Sequence, residues 1–347
     1  MSVVDKLQIF LITYNRKKYL ERTFKQIFSD ESPIRDFDIT ILNNCSNDGT
    51  DELIKEYQLR FPNIKHIVHN HNIGGNANIV RAFEMATKDY VWVLCDDDFY
   101  NWKNWHLIEA EISKNTDVIV LSNEMVNKGQ NIGDILLQLQ FLPGAIYNTS
   151  LINFTSLANA YSLIQNYFPH LAFPIYAYMN NKNVFVLDTE QIVVPSAYEQ
   201  LRNPDNDMAD MSYTRDLEEE NILPLIQYSN WFLNFINSVA LLRDSKLVDD
   251  CLNSVIENEK KHNIYYQNIS RIVNSILVIT QTHETGMLAF WDFFYRVGLK
   301  NKFISLWCLF WFYVFNTYST NDGYVNIIVF RKLKLRLKCC FIRINKG

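Results

Sequence analysis

Glycine and proline are scarce in this chain, 10 and 8 of 347 residues, and with 48% hydrophobic and 20% charged residues the composition is that of an ordinary globular protein with room for one large domain and a smaller one. The six cysteines, at positions 45, 95, 251, 308, 339 and 340, include no Cys-x-x-Cys pair, and there is no histidine-rich metal spacing. They read as reduced thiols of a cytosolic protein. No Gly-x-Gly-x-x-Gly turn follows the first strand and no Walker lysine motif is present, which removes the strongest sequence support for a dinucleotide or a P-loop nucleotide. Met1-Ser2-Val3-Val4-Asp5 runs straight into the first strand and leaves no room for a secretory signal, so a cytoplasmic location is expected. The uncharged aromatic run Phe303 to Phe315 is thirteen residues long, whereas a helix crossing a bilayer needs roughly 20. Acidic residues are absent after Asp322.

Against these absences stands one dense feature. Tyr90-Val91-Trp92-Val93-Leu94-Cys95 is a β-type segment that ends in Asp96-Asp97-Asp98. Three adjacent carboxylates raise one another's pKa unless a cation or a set of donors offsets the repulsion. A hard divalent ion, Mg²⁺ or Mn²⁺, bound by oxygen ligands and carrying a diphosphate would do so. A solvated acidic turn is the other reading of the triad taken alone.

The first hundred residues place that triad. Gln8 to Thr13, Phe37 to Leu42, Ile64 to Val68 and Tyr90 to Cys95 read as strands, separated by amphipathic helices through Tyr19 to Phe28, Leu53 to Leu59 and about Ala77 to Thr87. Strand and helix alternating at this spacing imply an α/β fold built on a parallel sheet with helices on its faces. In such a sheet the carboxyl ends of the strands open on one side, where ligands bind. Four polar strand ends therefore converge: Thr13-Tyr14-Asn15-Arg16, Asn43 to Asp48, Asn72 to Asn78, and the aspartates. Nucleotide-sugar binding fits this set. Tyr14 could stack on a base, Asn43 or Asn44 could hydrogen-bond its edge, backbone N–H groups at Gly74 and Gly75 could approach a phosphate, and Arg81 could add positive charge. The aspartates would hold the metal on the diphosphate.

In order and spacing, Thr13-Tyr14-Asn15-Arg16, Asn44-x-Ser46-x-Asp48-Gly49-Thr50, Asn72-x-Gly74-Gly75 and the strand into Asp96-Asp97-Asp98 resemble the four motifs of family 2 glycosyltransferases with a GT-A fold, over roughly residues 5 to 125. The nearest branch is the bacterial one whose strand reads Trp-x-Leu-x-Asp-Asp-Asp, which includes deoxyhexose transferases of surface polysaccharide assembly. The resemblance implies a mixed Rossmann-like sheet flanked by helices, with a C-terminal helical extension. Together with the apolar spacing and charge of the last third, it divides the chain into a nucleotide-sugar half at 1–125, an acceptor half at 126–226 and a helical, membrane-associating region with a basic tail at 227–347. It also implies a metal-dependent hexosyl- or deoxyhexosyltransferase, with Asp96 and Asp98 for ribose and metal contacts, Asp98 as the leading metal ligand, and Asp97 in the donor site. The Gln-x-x-Arg-Trp motif of processive members is absent, so a single addition is expected. Two departures concern the site: Asn43 stands where many members have Asp, and Cys95 stands where the commoner Asp-x-Asp-Asp run begins, although a thiol is a poor partner for Mg²⁺.

The second half has no clean match to the carboxylate segment that serves many members as general base. His170, in Tyr167-Phe168-Pro169-His170-Leu171, has a suitable unperturbed pKa, and its alternative is a half-buried histidine in an aromatic cluster. Asp188 and the loop Asp205-Asn206-Asp207-Met208-Ala209-Asp210 are the other candidates. Val118 to Leu121 reads as a strand, Ile152 to Tyr167 as a helix, and Val184 to Val194 as two short strands separated by Asp188.

Asn230 to Leu242 and Ile269 to Ile279 have helical spacing, and the Phe303 to Phe315 run suits a membrane interface. Arg331, Lys332, Lys334, Arg336, Lys338, Arg343 and Lys346 put seven positive charges after Asp322, which leaves −12 on residues 1–322 of a chain whose net charge is −5. A basic tail on an acidic body points to an anionic membrane surface, at the inner face of the cell membrane, and not to nucleic acid. Leu333, Leu335 and Leu337 alternate with basic residues, which leaves an edge strand open there as an alternative to a helix. The expected acceptor is lipid-linked, or a lipopolysaccharide or capsule glycan. Two other readings stay open: a catalytically silent nucleotide-sugar or glycan-binding scaffold, and a nucleotidyltransferase, against which the absence of a Gly-rich basic opening loop counts.

Overall fold

Strands that are apolar on both faces need cover on both faces, and β1 (Leu7–Thr13) and β4 (Tyr90–Cys95) set the centre of this fold because Leu7, Ile9, Phe10, Leu11, Trp92 and Leu94 are fully buried. The computed structural model describes residues 2–121, 131–164, 168–196, 235, 238–261, 315–319, 324–329 and 333–338. After the short α1 (Val3–Lys6), β1, β2 (Asp38–Asn43), β3 (Ile64–Val68) and β4 alternate with α2 (Lys17–Ile27), α3 (Thr50–Arg60) and α4 (Gly75–Glu84). They are followed by β5 (Phe99–Tyr100), α5 (Trp105–Ser113), β6 (Val118–Val120), α6 (Ile132–Gln138), β7 (Ala145–Asn148), α7 (Phe154–Ser162), α8 (Ala172–Met179), β8 (Val184–Val186), β9 (Val193–Val194) and α9 (Ser245–Lys261).

Seven strands make one mixed sheet in the order β3-β2-β1-β4-β7-β6-β8. All neighbours are parallel except β7, which runs antiparallel to both β4 and β6. Ile9 pairs in register with Ile39 and with Trp92, so the three central strands end level, and their polar termini share one edge. A separate two-stranded ladder joins β5 to β9, Phe99 opposite Val194, and draws residues 192–196 onto the aspartate turn.

The core on one side of the sheet is aromatic. Phe24 and Phe28 of α2 meet Tyr57 and Phe61 at ring distances of 4.4 to 5.8 Å. Trp92 stacks on Trp105 at 5.9 Å, and its indole N–H donates to the Pro143 carbonyl at 2.9 Å, so its polar atom is satisfied inside the core. Each such ring contributes roughly 1.5–3 kcal/mol of burial.

The α/β architecture and the four strands of the first hundred residues agree with the sequence reading to within a residue or two, and α4 starts at Gly75, two residues earlier than its pattern implied. The strand at 118–120 and the pair at 184–186 and 193–194 are present as expected. The helix expected over 152–167 is α7, ending at Ser162. α8 is the element the sequence pattern did not reveal: Ala172, Phe173, Pro174, Ile175 and Ala177 are all buried, so no amphipathic stripe marks it, and Pro174 is tolerated because it falls in the first turn.

The chain forms two compact units, residues 1–222 with 235–258, and residues 223–234 with 259–347. Within the second, the expected helical character needs correcting, and the edge-strand alternative at 333–337 is the one observed: β10 (Phe315–Ser319), β11 (Tyr324–Val329) and β12 (Leu333–Lys338) form an antiparallel sheet in that order. The leucine and lysine alternation at 333–338 has period 2, which only a strand can place on two faces. The helix expected over 269–279, the aromatic run up to residue 314 and the acidic loop 205–210 lie outside the described residues; of the helix expected over 230–242, residues 235, 238 and 239 are helical and a short 3₁₀ turn follows at Ala240–Leu242. Among the described residues no helix is long and apolar enough to cross a membrane.

Candidate active site

Three of the strand ends turn through left-handed backbone: Asn15 after β1 at φ 50°, Cys45 after β2 at φ 67°, and Gly74 after β3 at φ 83°. For Cys45 this is a costly conformation, of a kind that persists where the surroundings over-determine it, commonly at functional loops. Here the surroundings are a lattice of side-chain bonds between loops. The Asn15 N–H donates to Ser46 Oγ at 2.9 Å while Asn15 Oδ1 accepts from the Asn47 N–H at 2.8 Å, and Asp48 accepts from the Lys17 N–H at 2.9 Å. Asn44 Nδ2 donates to Asn72 Oδ1 at 2.7 Å, and Asn44 Oδ1 accepts from the Ile73 N–H at 2.9 Å. Asn15 and Asn44, expected to touch a ligand, thus shape the loops that surround it.

Asn78 is likewise structural as placed. It is buried, its Oδ1 lies 2.8 Å from His69 Nε2, and its Nδ2 donates to the Leu42 carbonyl. Arg81 is exposed and pairs with Glu84 on its own helix at 2.6 Å. Gly75 opens α4, next to Gly74, where an added Cβ would meet nothing within 4 Å. Asn43 differs from its neighbours. Its Oδ1 accepts from the Ser46 N–H at 3.0 Å, which fixes the amide's orientation, and its Nδ2 is a buried donor with no hydrogen-bond partner among the described residues.

The aspartates occupy two environments. Asp96, 4% exposed, accepts from Thr13 Oγ1 at 2.6 Å and lies 3.4 Å from Arg16 Nε. Burial pushes its pKa up to about 6, against the pull of Arg16. Asp97 takes the other end of the same guanidinium, Nη2 to Oδ2 at 2.8 Å. Asp98, 3% exposed, has its Oδ2 buried without a hydrogen-bond partner among the described residues. Burial first, then the charges of Asp97 and Asp96, hold its pKa well above the usual carboxylate range. Ligand atoms of Cys95, Asp97 and Asp98 lie within 4.8 Å of one another. The geometry therefore divides the triad: Asp96 is turned to Thr13, Asp97 and Asp98 lie beside Cys95, and Arg16 bridges Asp96 and Asp97. The metal-ligand pair expected as Asp96 and Asp98 is better matched by Asp97 and Asp98.

Three residues that sequence reasoning missed grip this turn from α2. Thr23 donates to the Asp96 carbonyl at 2.8 Å, Gln26 to the Asp98 carbonyl at 3.2 Å, and Arg22 to the Asp97 carbonyl, with its guanidinium 4.0 Å above the Phe99 ring. Gln26 Oε1 also accepts the Tyr100 N–H. Their spacing along α2, at 22, 23 and 26, puts a polar stripe on a helix whose Thr23 is fully buried, and a buried threonine in an amphipathic helix was the available signal. Tyr14 is partly exposed beside these loops.

A profile described as Glycosyl transferase family 2 matches residues 8–172, from β1 to the first residue of α8. These residues are a family 2 glycosyltransferase domain. Abequosyltransferase RfbV of Salmonella typhimurium is 31% identical over 108 residues, covering 30% of this chain and 32% of that protein. The poly(ribitol-phosphate) β-N-acetylglucosaminyltransferase TarS of Staphylococcus aureus is 23% identical over 198 residues, 52% of this chain and 34% of that one. The alignments span only about a third of these relatives. The crystal structure of S. aureus TarS covers 95% of this chain and 60% of its own, with a TM-score of 0.52 at 17% identity, and agrees with the GT-A fold.

Among the described residues the two candidate bases sit apart in character. His170 is 1% exposed, its Nε2 lies 2.8 Å from the Leu139 carbonyl, and Phe168 packs against it at 6.2 Å. Burial lowers its pKa to about 4. It is a neutral histidine pinned in apolar packing. Asp188 is exposed, in the connection between β8 and β9.

Proposed function

We propose that this chain transfers one hexosyl or deoxyhexosyl unit, with inversion, from a nucleoside diphosphate sugar to a lipid-linked, lipopolysaccharide or capsule glycan, at an anionic membrane surface, in a reaction that requires Mn²⁺ or Mg²⁺. The observation that carries the reading is the buried Oδ2 of Asp98, without a hydrogen-bond partner among the described residues and beside two further carboxylates, at the point where four strand ends converge. Repulsion of this kind inside a protein calls for a cation. Asp98 and Asp97 would hold it, with Cys95 beside them, and when bound the ion supplies positive charge that offsets the departing diphosphate.

The chain's own groups do the rest. Thr13 and Arg16 keep Asp96 oriented as an acceptor for ribose hydroxyls, Asn43 Nδ2 offers a donor to the base, and Tyr14 offers it a ring face. Of the two candidate bases among the described residues, Asp188 is the one a substrate can reach, because proton abstraction requires contact with the acceptor hydroxyl and His170 is enclosed. The relatives support the substrate class: one is an abequosyltransferase, one an N-acetylglucosaminyltransferase, and S. aureus TarS 1–349 was solved in complex with UDP-GlcNAc.

The test is a panel of UDP-, GDP-, dTDP- and CDP-sugars with Mn²⁺, scored for binding by calorimetry and for donor hydrolysis. One donor should bind and turn over. Binding without turnover would favour the silent scaffold, and no binding at all would sink the reading.

His170→Asn separates the two candidate bases. It should cost about 1–3 kcal/mol of unfolding free energy by disturbing the bond to the Leu139 carbonyl, and should leave kcat within about threefold of the parent. A hundredfold loss of kcat at unchanged stability would restore His170 as the base.

A further inference from the structure

The three-stranded sheet of the second compact unit places all the cations of its strands on one face. Lys334, Arg336 and Lys338 of the edge strand β12 pair in register with Ile328, Asn326 and Tyr324 of β11, and Ile328 and Asn326 pair in turn with Asn316 and Tyr318 of β10. Residues directly opposite one another across a ladder share a face. One face therefore carries the row of three cations together with Tyr318, Tyr324, Asn316, Asn326 and a single aliphatic residue, Ile328. The other carries Leu333, Leu335, Leu337, Val325, Ile327, Val329 and Phe315, with Thr317 and Ser319 on β10. No acidic residue occurs in any of the three strands. Along β12 the cations recur every second residue, roughly 6.6 Å apart, so they form a line of charge.

We propose that this basic face is the surface on which the chain docks to anionic lipid, with Lys334, Arg336 and Lys338 as the row that meets the headgroup phosphates. The proposal rests on the membrane-side acceptor of the reading above and goes beyond it by assigning the contact to one face and three residues. Charge complementarity selects the partner. Residues 1–322 carry a net −12, whereas the segment after Asp322 carries seven cations and no acid, so net attraction to an anionic bilayer favours that segment. Tyr318 and Tyr324 on the same face suit the headgroup level, where tyrosine places an apolar ring beside a wet hydroxyl. A nucleic acid would instead call for a basic stripe over the domain. Lysine on an edge strand also blocks edge-to-edge pairing between molecules, but that role needs charge on the strand and does not need a lipid.

The experiment is co-sedimentation of the full chain with phosphatidylcholine vesicles containing 30% phosphatidylglycerol, and with phosphatidylcholine alone, at about 0.1 M salt. The variant Lys334→Gln/Arg336→Gln/Lys338→Gln is compared with Arg331→Gln/Lys332→Gln/Arg343→Gln, which removes the same charge from positions outside the strand. At about fivefold per charge, the row variant should lose on the order of 100-fold in partitioning to the anionic vesicles. The control should lose a few-fold. Equal losses would reduce the effect to a diffuse basic tail, and wild-type binding no tighter to the anionic vesicles than to the neutral ones would overturn the proposal, as would a polyphosphate that binds as tightly as the vesicles. If the row variant fails to fold, Arg336→Gln alone should still show the fivefold loss, and Lys334→Arg/Lys338→Arg should bind as the parent does. Nucleotide-sugar binding, measured on the same preparations, reports on the donor reading separately: vesicle binding lost with donor binding intact concerns the sheet alone.

Discussion

Asp98→Asn is expected to reduce glycosyl transfer by about 100-fold or more, because several kcal/mol of charge stabilisation at the diphosphate rest on the cation this carboxylate would hold, at about 1.36 kcal/mol per tenfold. The same substitution should stabilise the metal-free protein. Asp98 is 3% exposed, is crowded by Asp96 and Asp97, and has one oxygen without a hydrogen-bond partner among the described residues. An amide of the same shape removes the repulsion without removing the volume. Activity and stability thus move in opposite directions, as expected where a site stores unfavourable charge for function.

The pH dependence follows with a definite sign. Burial raises Asp96 from 3.8 to about 6 and holds Asp98 well above its usual value, so the folded protein binds more protons than the unfolded chain over this range. The stability these groups contribute is fully present below the unfolded value near 3.8 and is lost as pH rises through the raised value of each group, about 6 for Asp96. In EDTA, urea unfolding should therefore show this contribution falling between about pH 4 and 7, with a shallower fall in Asp98→Asn. Mn²⁺ should raise the stability of the wild type at neutral pH and leave the variant nearly unmoved. Transfer retained within about threefold in Asp98→Asn, together with no stabilisation of the wild type by Mn²⁺, would remove Asp98 from the metal site.

What the sequence could and could not say about this site has physical causes. Buried parallel strands are continuous apolar runs, and the polar clusters ending them are local, so β1 to β4 and their converging termini were legible from residues 8 to 98. Strand periodicity says nothing about a turn after a strand has ended. That Asp96 faces Thr13 and Arg16 while Asp97 and Asp98 lie with Cys95 is set by contacts 80 to 83 residues apart in sequence, and by the grip of Thr23 and Gln26 from 72 to 73 residues away. Asn15, Asn44 and Asn78 were legible as polar residues at the right edge, but an asparagine that shapes a loop and one that binds a ligand look alike until their partners are known. His170 illustrates the same limit from the opposite side, since Phe168 and Pro169 beside it already indicated an apolar setting that burial makes decisive.

Arg16→Met should destabilise the metal-free protein by about 3–5 kcal/mol, the range for breaking a buried ion pair by removing one partner. Arg16 is 7% exposed and its guanidinium serves two carboxylates at once, Asp97 at 2.8 Å and Asp96 at 3.4 Å, with the Tyr19 ring 4.6 Å away. Methionine preserves much of the stem's packing, so the loss measures charge. Lysine should be a poor substitute, because a single ammonium cannot reproduce the fork that spans both carboxylates. The decisive measurement is a double-mutant cycle by urea unfolding. If the cost arises from stranding Asp97, then Arg16→Met/Asp97→Asn should recover about 1–3 kcal/mol relative to the sum of the single changes. A single-variant cost below about 1 kcal/mol would instead describe a solvent-screened pair. The variant also reports on the divided triad. With Arg16 gone, the main charge lowering Asp96 disappears, so its pKa should climb further above about 6 and the loss of stability with pH should shift in the alkaline direction. Because Thr13 still donates to Asp96, donor binding should weaken less than transfer does in Asp98→Asn. An equal collapse of donor binding and transfer in both variants would mean that the three aspartates act as one unit, and that their separation into an orienting carboxylate and a metal-holding pair does not operate during catalysis.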